Sequence, residues 1–150
     1  MNYKIIKADI QTASLNISPY GNPTNDECMY NIAAYHAQQA IEKCLKYYLH
    51  DVYGVDDSTR RFRTHNISTL LLDLSAFDPL FIEKHPVTVS YADDLSMWEA
   101  TSRYGDSLVA TRHMIEEVLQ DADIMYRDIA ERELQREKCE SERENNDYDR

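Results

Sequence analysis

The stretch TNDECMYNIAAYHAQQAIEKCLKYYL, residues 24–49, decides the fold of this chain. Thr24, followed three residues later by Glu27, is the pattern of a capping box, in which a hydroxyl and a carboxylate accept hydrogen bonds from backbone amides at a helix start. Apolar side chains then recur at three- and four-residue steps, which predicts one broad apolar face and the central helix of an all-helical domain. The apolar face comprises Met29, Ile32, Ala33, His36, Ala37, Ala40, Ile41, Cys44, Leu45 and Tyr48. The polar side chains on the other side are mainly Gln38, Gln39, Glu42, Lys43 and Lys46.

The composition predicts one compact, mostly helical domain. A chain of 150 residues is long enough to bury a hydrophobic core of its own, and three glycines and four prolines leave few helix breakers. The formal net charge of −11 at pH 7 argues against a general nucleic-acid coat, because phosphate backbones are bound by lysine and arginine. A small local basic site is compatible with that charge.

The cysteines and the first residues indicate the compartment. Three cysteines, without a CxxC pair or ligand-like spacing, predict neither a disulfide framework nor a metal site. Cys44 lies on the apolar face, where we expect a reduced, buried thiol. Charges at Lys4, Lys7 and Asp9 interrupt the start, which does not fit a signal peptide, and no apolar run approaches the roughly 20 residues that span a bilayer. We therefore expect a cytoplasmic protein with no membrane partner.

Helical spacing continues on both sides of the central stretch. Pro79 and Pro86 bracket a connector, and Asp106 or Ser107 is expected to cap the last helix. The helical spacing of the apolar residues predicts an all-α, up-and-down bundle of about five helices within residues 1–134. Residues 135–150 are charged and lack apolar periodicity, which predicts a disordered tail. The predicted helices cover residues 3–16, 24–49, 65–76, about 90–104 and 106–134.

A basic loop precedes the predicted third helix. Arg60, Arg61 and Arg63 lie within four residues and are followed by His65. Guanidinium groups can hold a phosphate through bidentate, charge-assisted hydrogen bonds. The competing interpretation is a solvated loop that pairs with some of the many carboxylates of the chain.

Two histidines and one helical ion pair are further candidates for chemical groups. His36 and His65 can each gain or lose a proton near neutral pH. His36 sits on the apolar face, where a hydrogen-bonded core or interface histidine is commoner, and His65 can serve simply to fix the loop. Glu42 and Lys46 form an i, i+4 pair, whose usual role is a small stabilisation of a solvated helix surface.

The segment Arg103-Tyr104-Gly105-Asp106 marks a corner between two predicted helices. Gly105 suits a backbone turn with positive φ, and Asp106 suits a helix cap. A purely structural corner explains the pattern at least as well as a binding site does.

Three blocks in this order resemble the HEPN family, the domain shared by higher eukaryotes and prokaryotes that is associated with nucleotide binding. The blocks are YHAQQAIEKCLKYYL at residues 35–49, HNISTLLLDL at residues 65–74, and RYGD at residues 103–106 before a long last helix. The resemblance covers roughly residues 3–130. RYGD departs from the usual Arg-Tyr-Pro-Asp of the family, which keeps the corner but makes it less rigid.

The resemblance implies a helical bundle that dimerises and a nucleotide- or RNA-related function. It also implies a minimal nucleotidyltransferase as partner in a toxin–antitoxin pair, and no cofactor other than a bound nucleotide. The leading hypothesis is a nucleotide-binding or partner-binding module. The nucleotide-binding candidates are Lys43, Arg60, Arg61, Arg63, His65, Arg103 and Tyr104.

The alternative is a metal-independent ribonuclease acting as a toxin or defence effector. Family ribonucleases carry an arginine, four to six residues and then a histidine in the late helical region, whereas Arg103 and His113 have nine residues between them. Arg60 and His65 have four residues between them, but before the third helix. These four are the catalytic candidates, with histidine as acid–base group and arginine stabilising phosphate charge. A plain helical interaction protein is a third hypothesis.

Aromatic side chains are candidates for a symmetric dimer interface. Tyr30, Tyr47, Trp98 and Tyr104 are large enough to anchor one. Core packing is the competing interpretation for Trp98 and Tyr104.

Overall fold

The chain folds into a bundle of helices around one central helix. The computed structural model describes residues 2–104 and 110–148, without the side chains of residues 103–104 and 146–148. Within these ranges the regular structure is entirely helical, which confirms the predicted all-α bundle, and there are seven helices, two of them short. They are α1 (Lys4–Ile17), α2 (Glu27–Tyr47), α3 (Ile67–Phe77), α4 (Pro79–Lys84), α5 (Pro86–Ser90), α6 (Ala92–Tyr104) and α7 (Arg112–Tyr148). A π-helical turn, Tyr48–Val52, directly follows α2.

Helix α2 is the central helix, as predicted, and it packs against α1, α3, α6 and α7. Ala37, Ile41 and Leu45 have no exposed surface, because neighbouring helices cover this side of α2. Cys44 is likewise fully buried and is a free thiol, which confirms the prediction. Burial raises the pKa of the Cys44 thiol above its ordinary value, so the group stays protonated and unreactive.

The start of α2 differs from the predicted capping box. Asp26 is the cap, and its carboxylate accepts a hydrogen bond from the Cys28 amide at 2.9 Å. Asn25 adopts a left-handed φ of 56°, a conformation that a right-handed helix cannot include and that asparagine tolerates better than most residues. Thr24 therefore lies outside the helix, and the prediction of a Thr24–Glu27 capping box is wrong.

The predicted division of α2 into an apolar and a polar side is wrong at three positions. Gln38 and Glu42, expected in solvent, are 0% and 5% exposed, whereas Ile32, expected in the core, is 43% exposed. Other helices surround most of α2, so part of its polar side meets neighbouring segments of the chain instead of water. Polar groups buried in this way need hydrogen-bond partners within the protein.

Two short helices replace the predicted connector between α3 and α6. Pro79 and Pro86 each occupy the first position of a helix, where the missing backbone amide proton would be unpaired in any case. Asp78 caps α4 by accepting a hydrogen bond from the amide of Leu80 at 3.1 Å. Helix α4 places Phe81 in the core, with 3% of its surface exposed.

The last helix, α7, begins and ends later than predicted. The expected caps, Asp106 and Ser107, lie outside the described residues. At the start of α7 the hydroxyl of Thr111 accepts a hydrogen bond from the Met114 amide at 3.3 Å. The helix continues through residues 135–148, which were expected to be disordered, although all its side chains from 134 to 145 are exposed. The division of the chain at residue 134 stays a prediction.

Three of the four aromatic side chains considered for a dimer interface belong to the core. Tyr30, Tyr47 and Trp98 are only 8%, 3% and 2% exposed, so they cannot anchor a second copy of the chain. The side chain of Tyr104 is not among those described. No helix in residues 2–104 or 110–148 has the length and apolar character needed to cross a membrane.

Candidate functional site

Glu42 is a buried carboxylate at the centre of a polar network. It accepts hydrogen bonds from Gln38 Nε2 and from Lys46 Nζ, each at 2.8 Å. Burial by itself would raise the pKa of Glu42, but the hydrogen bonds from Lys46 and Gln38 and the positive charge of Lys46 outweigh it and hold the pKa below its ordinary value. Glu42 is therefore an anion at neutral pH. The prediction that Glu42 and Lys46 form a solvated surface pair is wrong, because their side chains are only 6% and 13% exposed.

His65 is held by this carboxylate and also faces solvent. Its Nδ1 lies 3.1 Å from both carboxylate oxygens of Glu42 and 3.7 Å from an oxygen of Glu99 on α6, while 58% of the side chain is exposed. A carboxylate beside one ring nitrogen orients the imidazole and favours a proton on that nitrogen. Nε2 has no hydrogen-bond partner within the described part of the chain, so the ring can give or take a proton at that atom.

The loop before His65 presents its three arginines differently. Arg61 forms an ion pair with Asp73 on α3, with its Nε donating a hydrogen bond at 3.1 Å. Arg60 and Arg63 are exposed, and neither forms an ion pair with any described residue. The loop therefore carries two exposed guanidinium groups within five residues of the oriented histidine, and Arg61 holds the loop against α3.

Phe62 anchors the same loop on the end of α2. Its side chain is 9% exposed, Lys46 Nζ lies 5.7 Å from the centroid of its ring, and the ring of His50 meets it at a centroid distance of 6.0 Å. Lys46 thus contacts both Glu42 and the anchor of the loop. The arginine loop and the Glu42–His65 pair consequently form one structural unit, which we call the Glu42–His65 site, comprising Glu42, Lys46 and residues 60–65.

Lys43, a predicted nucleotide-binding residue, lies in a different cluster. It forms an ion pair with Asp9 of α1, and the other oxygen of Asp9 is 2.8 Å from Nδ1 of His36. His36 is therefore hydrogen-bonded, as expected for a histidine on the apolar face. Because Asp9 is almost fully buried, these contacts tie α1 to α2.

The catalytic and nucleotide-binding candidates from the last third of the chain are Arg103, Tyr104 and His113. The structure describes no contact between any of them and the Glu42–His65 site. His113, near the start of α7, is 78% exposed and lies 3.4 Å from Glu117 on its own helix. Arg103 and Tyr104 end α6, but their side chains lie outside the described set, as do Gly105 and Asp106 of the predicted corner. The assignment of these residues stays a prediction.

The role of Glu42 has a partial signal in the sequence. Gln38, Glu42 and Lys46 recur at four-residue steps and therefore form a polar stripe along α2. The residue that meets this stripe, His65, comes from a loop 23 positions further along the chain. No local pattern predicts that pairing.

A second buried polar group joins α5 to α7. His85 Nδ1 lies 2.7 Å from one oxygen of Asp121, and the hydroxyl of Thr88 donates a hydrogen bond to the other oxygen at 2.6 Å. Burial would raise the pKa of Asp121, but the hydrogen bonds from His85 and Thr88 hold it below its ordinary value. All three residues are buried, so this cluster stabilises the fold and is closed to a large ligand.

Residues 2–104 and 110–148 contain no group of three or more histidine, cysteine, aspartate or glutamate side chains placed to hold a metal ion.

Comparison with protein families identifies the domain. A family model described as HEPN domain matches residues 23–138. The chain belongs to the HEPN domain family. No curated protein and no solved structure matches the chain significantly. The match includes the whole Glu42–His65 site, so the site lies within the HEPN domain, whereas α1 precedes the match and joins the bundle through contacts such as that of Asp9 with Lys43.

Proposed function

We propose that this HEPN domain binds a phosphate group of a nucleotide or of RNA at the Glu42–His65 site. The observation that carries the proposal is an exposed His65, oriented by a buried carboxylate, in the same short loop as the exposed Arg60 and Arg63, which form no ion pair with a described residue. Guanidinium groups bind phosphate oxygens in bidentate, charge-assisted hydrogen bonds, and a protonated imidazole adds a further donor. Membership of the HEPN family supports a nucleotide-binding or ribonuclease-type module.

The charge of the chain restricts the size of the ligand. With a formal net charge of −11, a long RNA would bring many phosphates against an acidic surface, whereas a nucleotide or a short RNA segment contacts only the basic loop. We therefore expect about two phosphate contacts. For single-stranded RNA, a plot of the logarithm of the association constant against the logarithm of the salt concentration should therefore have a slope of about −1.4.

The test is a fluorescence anisotropy titration with a short labelled oligoribonucleotide, and competition by nucleoside mono-, di- and triphosphates. Arg60→Gln and Arg63→Gln should each weaken binding about fivefold to tenfold, since each removes one charge-assisted contact. Arg143→Gln makes the same charge change at an exposed position of α7 and should leave binding unchanged. Equal affinity of all these proteins, or no binding tighter than millimolar, would contradict the proposal.

A second function, metal-independent ribonuclease action, is favoured by the orientation of His65. An imidazole fixed by Glu42 can take the proton of a ribose 2′-hydroxyl as that oxygen attacks the neighbouring phosphorus, and Arg60 can stabilise the charge that develops on the phosphate. The 5′-oxygen then leaves with a proton from a second acid, for which His113 or the His65 of a second copy is the candidate.

The ribonuclease hypothesis predicts growth arrest on induction of the protein. His65→Gln should abolish RNA cleavage and relieve the arrest, while the labelled RNA still binds through Arg60 and Arg63. Glu42→Gln should lower kcat more than it changes KM, because Glu42 positions the histidine without contacting RNA. If toxicity survives replacement of each of His65, His113, Arg60 and Arg103, the mechanism is wrong.

We further propose that the domain forms a homodimer in the cytoplasm and is paired with a minimal nucleotidyltransferase in a toxin–antitoxin system. Family membership supports dimerisation. Exposed apolar side chains such as Leu72 on α3 and Met97 on α6, each 64% exposed, offer interface surface in place of the buried aromatic residues. A monomer in light scattering at micromolar concentration would refute the dimer. A tagged pull-down from the native host that yields no nucleotidyltransferase would argue against the partner.

A further inference from the structure

A cavity of about 400 Å³ opens between the π-helical turn, α4 and α7. No residue of the Glu42–His65 site lines it. Three aromatic residues, Tyr48, Tyr53 and Phe81, lie in its wall, and the rings of Tyr48 and Phe81 meet edge to face with their centroids 5.1 Å apart. The exposed Ile124 adds an apolar side chain at the wall. The size is that of a small-molecule site, and the lining suits a flat aromatic ring.

The two carboxylates of the cavity are already occupied by the protein itself. Asp128 accepts hydrogen bonds from the Tyr48 hydroxyl at 2.7 Å and from Arg132 Nε at 2.8 Å. Asp78 accepts one from the Tyr53 hydroxyl at 3.2 Å and another from the backbone amide two residues later at 3.1 Å. The negative charge of Asp128 is therefore already balanced by its ion pair with Arg132, and each oxygen of Asp78 already accepts a hydrogen bond from the protein.

The two cations of the cavity, in contrast, keep free hydrogen-bond donors. Arg132 uses Nε for Asp128, and its two terminal nitrogens have no acceptor among the described residues. Its guanidinium carbon lies 5.9 Å from the centroid of the Tyr48 ring. Lys84 is exposed and forms no ion pair within residues 2–104 and 110–148. In a chain of net charge −11, a lysine without an ion-pair partner among the described residues and an arginine with free terminal nitrogens in the wall of one aromatic cavity point to an anionic ligand.

We propose that this cavity binds a small planar aromatic anion, a ring system that bears a carboxylate or a phosphate. The ring lies among Tyr48, Tyr53 and Phe81, and the anionic group accepts hydrogen bonds from Lys84 and from the terminal nitrogens of Arg132. This site is separate from the Glu42–His65 site and does not depend on the function proposed for it.

The probe is 1-naphthoate, with the neutral amide 1-naphthamide as its matched control, in an NMR titration of the isotope-labelled full chain. Naphthoate should bind with a dissociation constant of about 1 mM or below, the range that a ligand of this size reaches. The amide resonances of the π-helical turn, of α4 and of the segment around Arg132 should shift most, because an aromatic ligand changes the magnetic field around it. Naphthamide should bind at least fivefold more weakly. Equal binding of the two compounds, or shifts that avoid these three segments, would overturn the proposal.

Charge-matched variants complete the test. Lys84→Gln should weaken naphthoate binding about fivefold, whereas Lys138→Gln, at an exposed position of α7, should leave it unchanged. Arg63→Gln should also leave it unchanged, because Arg63 belongs to the Glu42–His65 site. An equal effect of Lys84→Gln and Lys138→Gln would show that only the net charge of the chain matters and would refute the assigned site.

Discussion

Replacement of Glu42 by glutamine tests whether the buried carboxylate holds α2 and the arginine loop together. The glutamine keeps the volume of the side chain but removes the charge that Lys46 faces at 2.8 Å. A hydrogen bond to a charged group contributes about 1.5–3 kcal/mol, and removal of one partner of a fully buried ion pair costs about 3–5 kcal/mol. Lys46 keeps 13% of its side chain exposed and His65 keeps 58%, so water compensates for part of the loss. We expect Glu42→Gln to lower the free energy of unfolding by about 2–4 kcal/mol at pH 7.

The assay is urea unfolding followed by circular dichroism, with Glu142→Gln as the control. Glu142 lies in the exposed part of α7, where the same chemical change should stay within about 0.5 kcal/mol of the parent chain. The pKa of Glu42 in the folded chain lies below its ordinary value of 4.5, so its contribution is complete above pH 4.5 and is lost as the pH falls through the folded pKa. The difference between Glu42→Gln and the parent chain should therefore shrink in acid. Equal stability of the two glutamine variants at pH 7, or a difference that grows in acid, would refute this account of the network.

Three further predictions concern the fold. Asp26→Ala should lower the free energy of unfolding by about 1 kcal/mol in urea, because Asp26 caps α2. Thr24→Ala should change that free energy by less than about 0.5 kcal/mol. A larger effect of Thr24→Ala than of Asp26→Ala would support the Thr24–Glu27 capping box instead. A thiol-specific reagent should label the two exposed cysteines of the native chain and should reach Cys44 only after unfolding, since Cys44 is buried and its pKa is raised; rapid labelling of all three would contradict the buried position. A chain that ends at residue 138 should keep its stability within about 0.5 kcal/mol by thermal unfolding, because the side chains of residues 139–145 are all exposed. A large loss would mean that the end of α7 packs on another part of the protein.

Local patterns predicted the helices better than their ends. The sequence predicts a helix over residues 65–76, and the structure has α3 at Ile67–Phe77, with Ile67, Leu70 and Leu74 completely buried. The helix ends depend on single backbone conformations and single side-chain contacts, such as the left-handed Asn25 before α2. A pattern of hydrophobic residues does not contain such details, so the predicted starts of α2 and α7 lie several residues before the observed ones.

The candidate site was predicted in part. The arginine loop and His65 were recognised because charge and residue type are visible in the sequence. The sequence predicts a surface position for Glu42, because the i, i+4 pair with Lys46 has the same sequence pattern in solvent and in a buried network. The structure also separates Lys43 from the site, since its ion pair is with Asp9, 34 positions earlier in the chain. The sequence shows which residues share one face of a helix, but it does not show which segment of the chain packs against that face.

Helical periodicity and family motifs are properties of residues close together in the chain, so they were enough to predict an all-α bundle built on α2 and the HEPN family. Which polar groups meet depends on the tertiary structure. It buried Glu42 beside His65, exposed His65 to solvent, and left the terminal nitrogens of Arg132, in the wall of an aromatic cavity, without an acceptor among the described residues. The physical reason is that burial and the pKa of an ionisable group depend on every segment packed around it, and those segments come from distant parts of the chain.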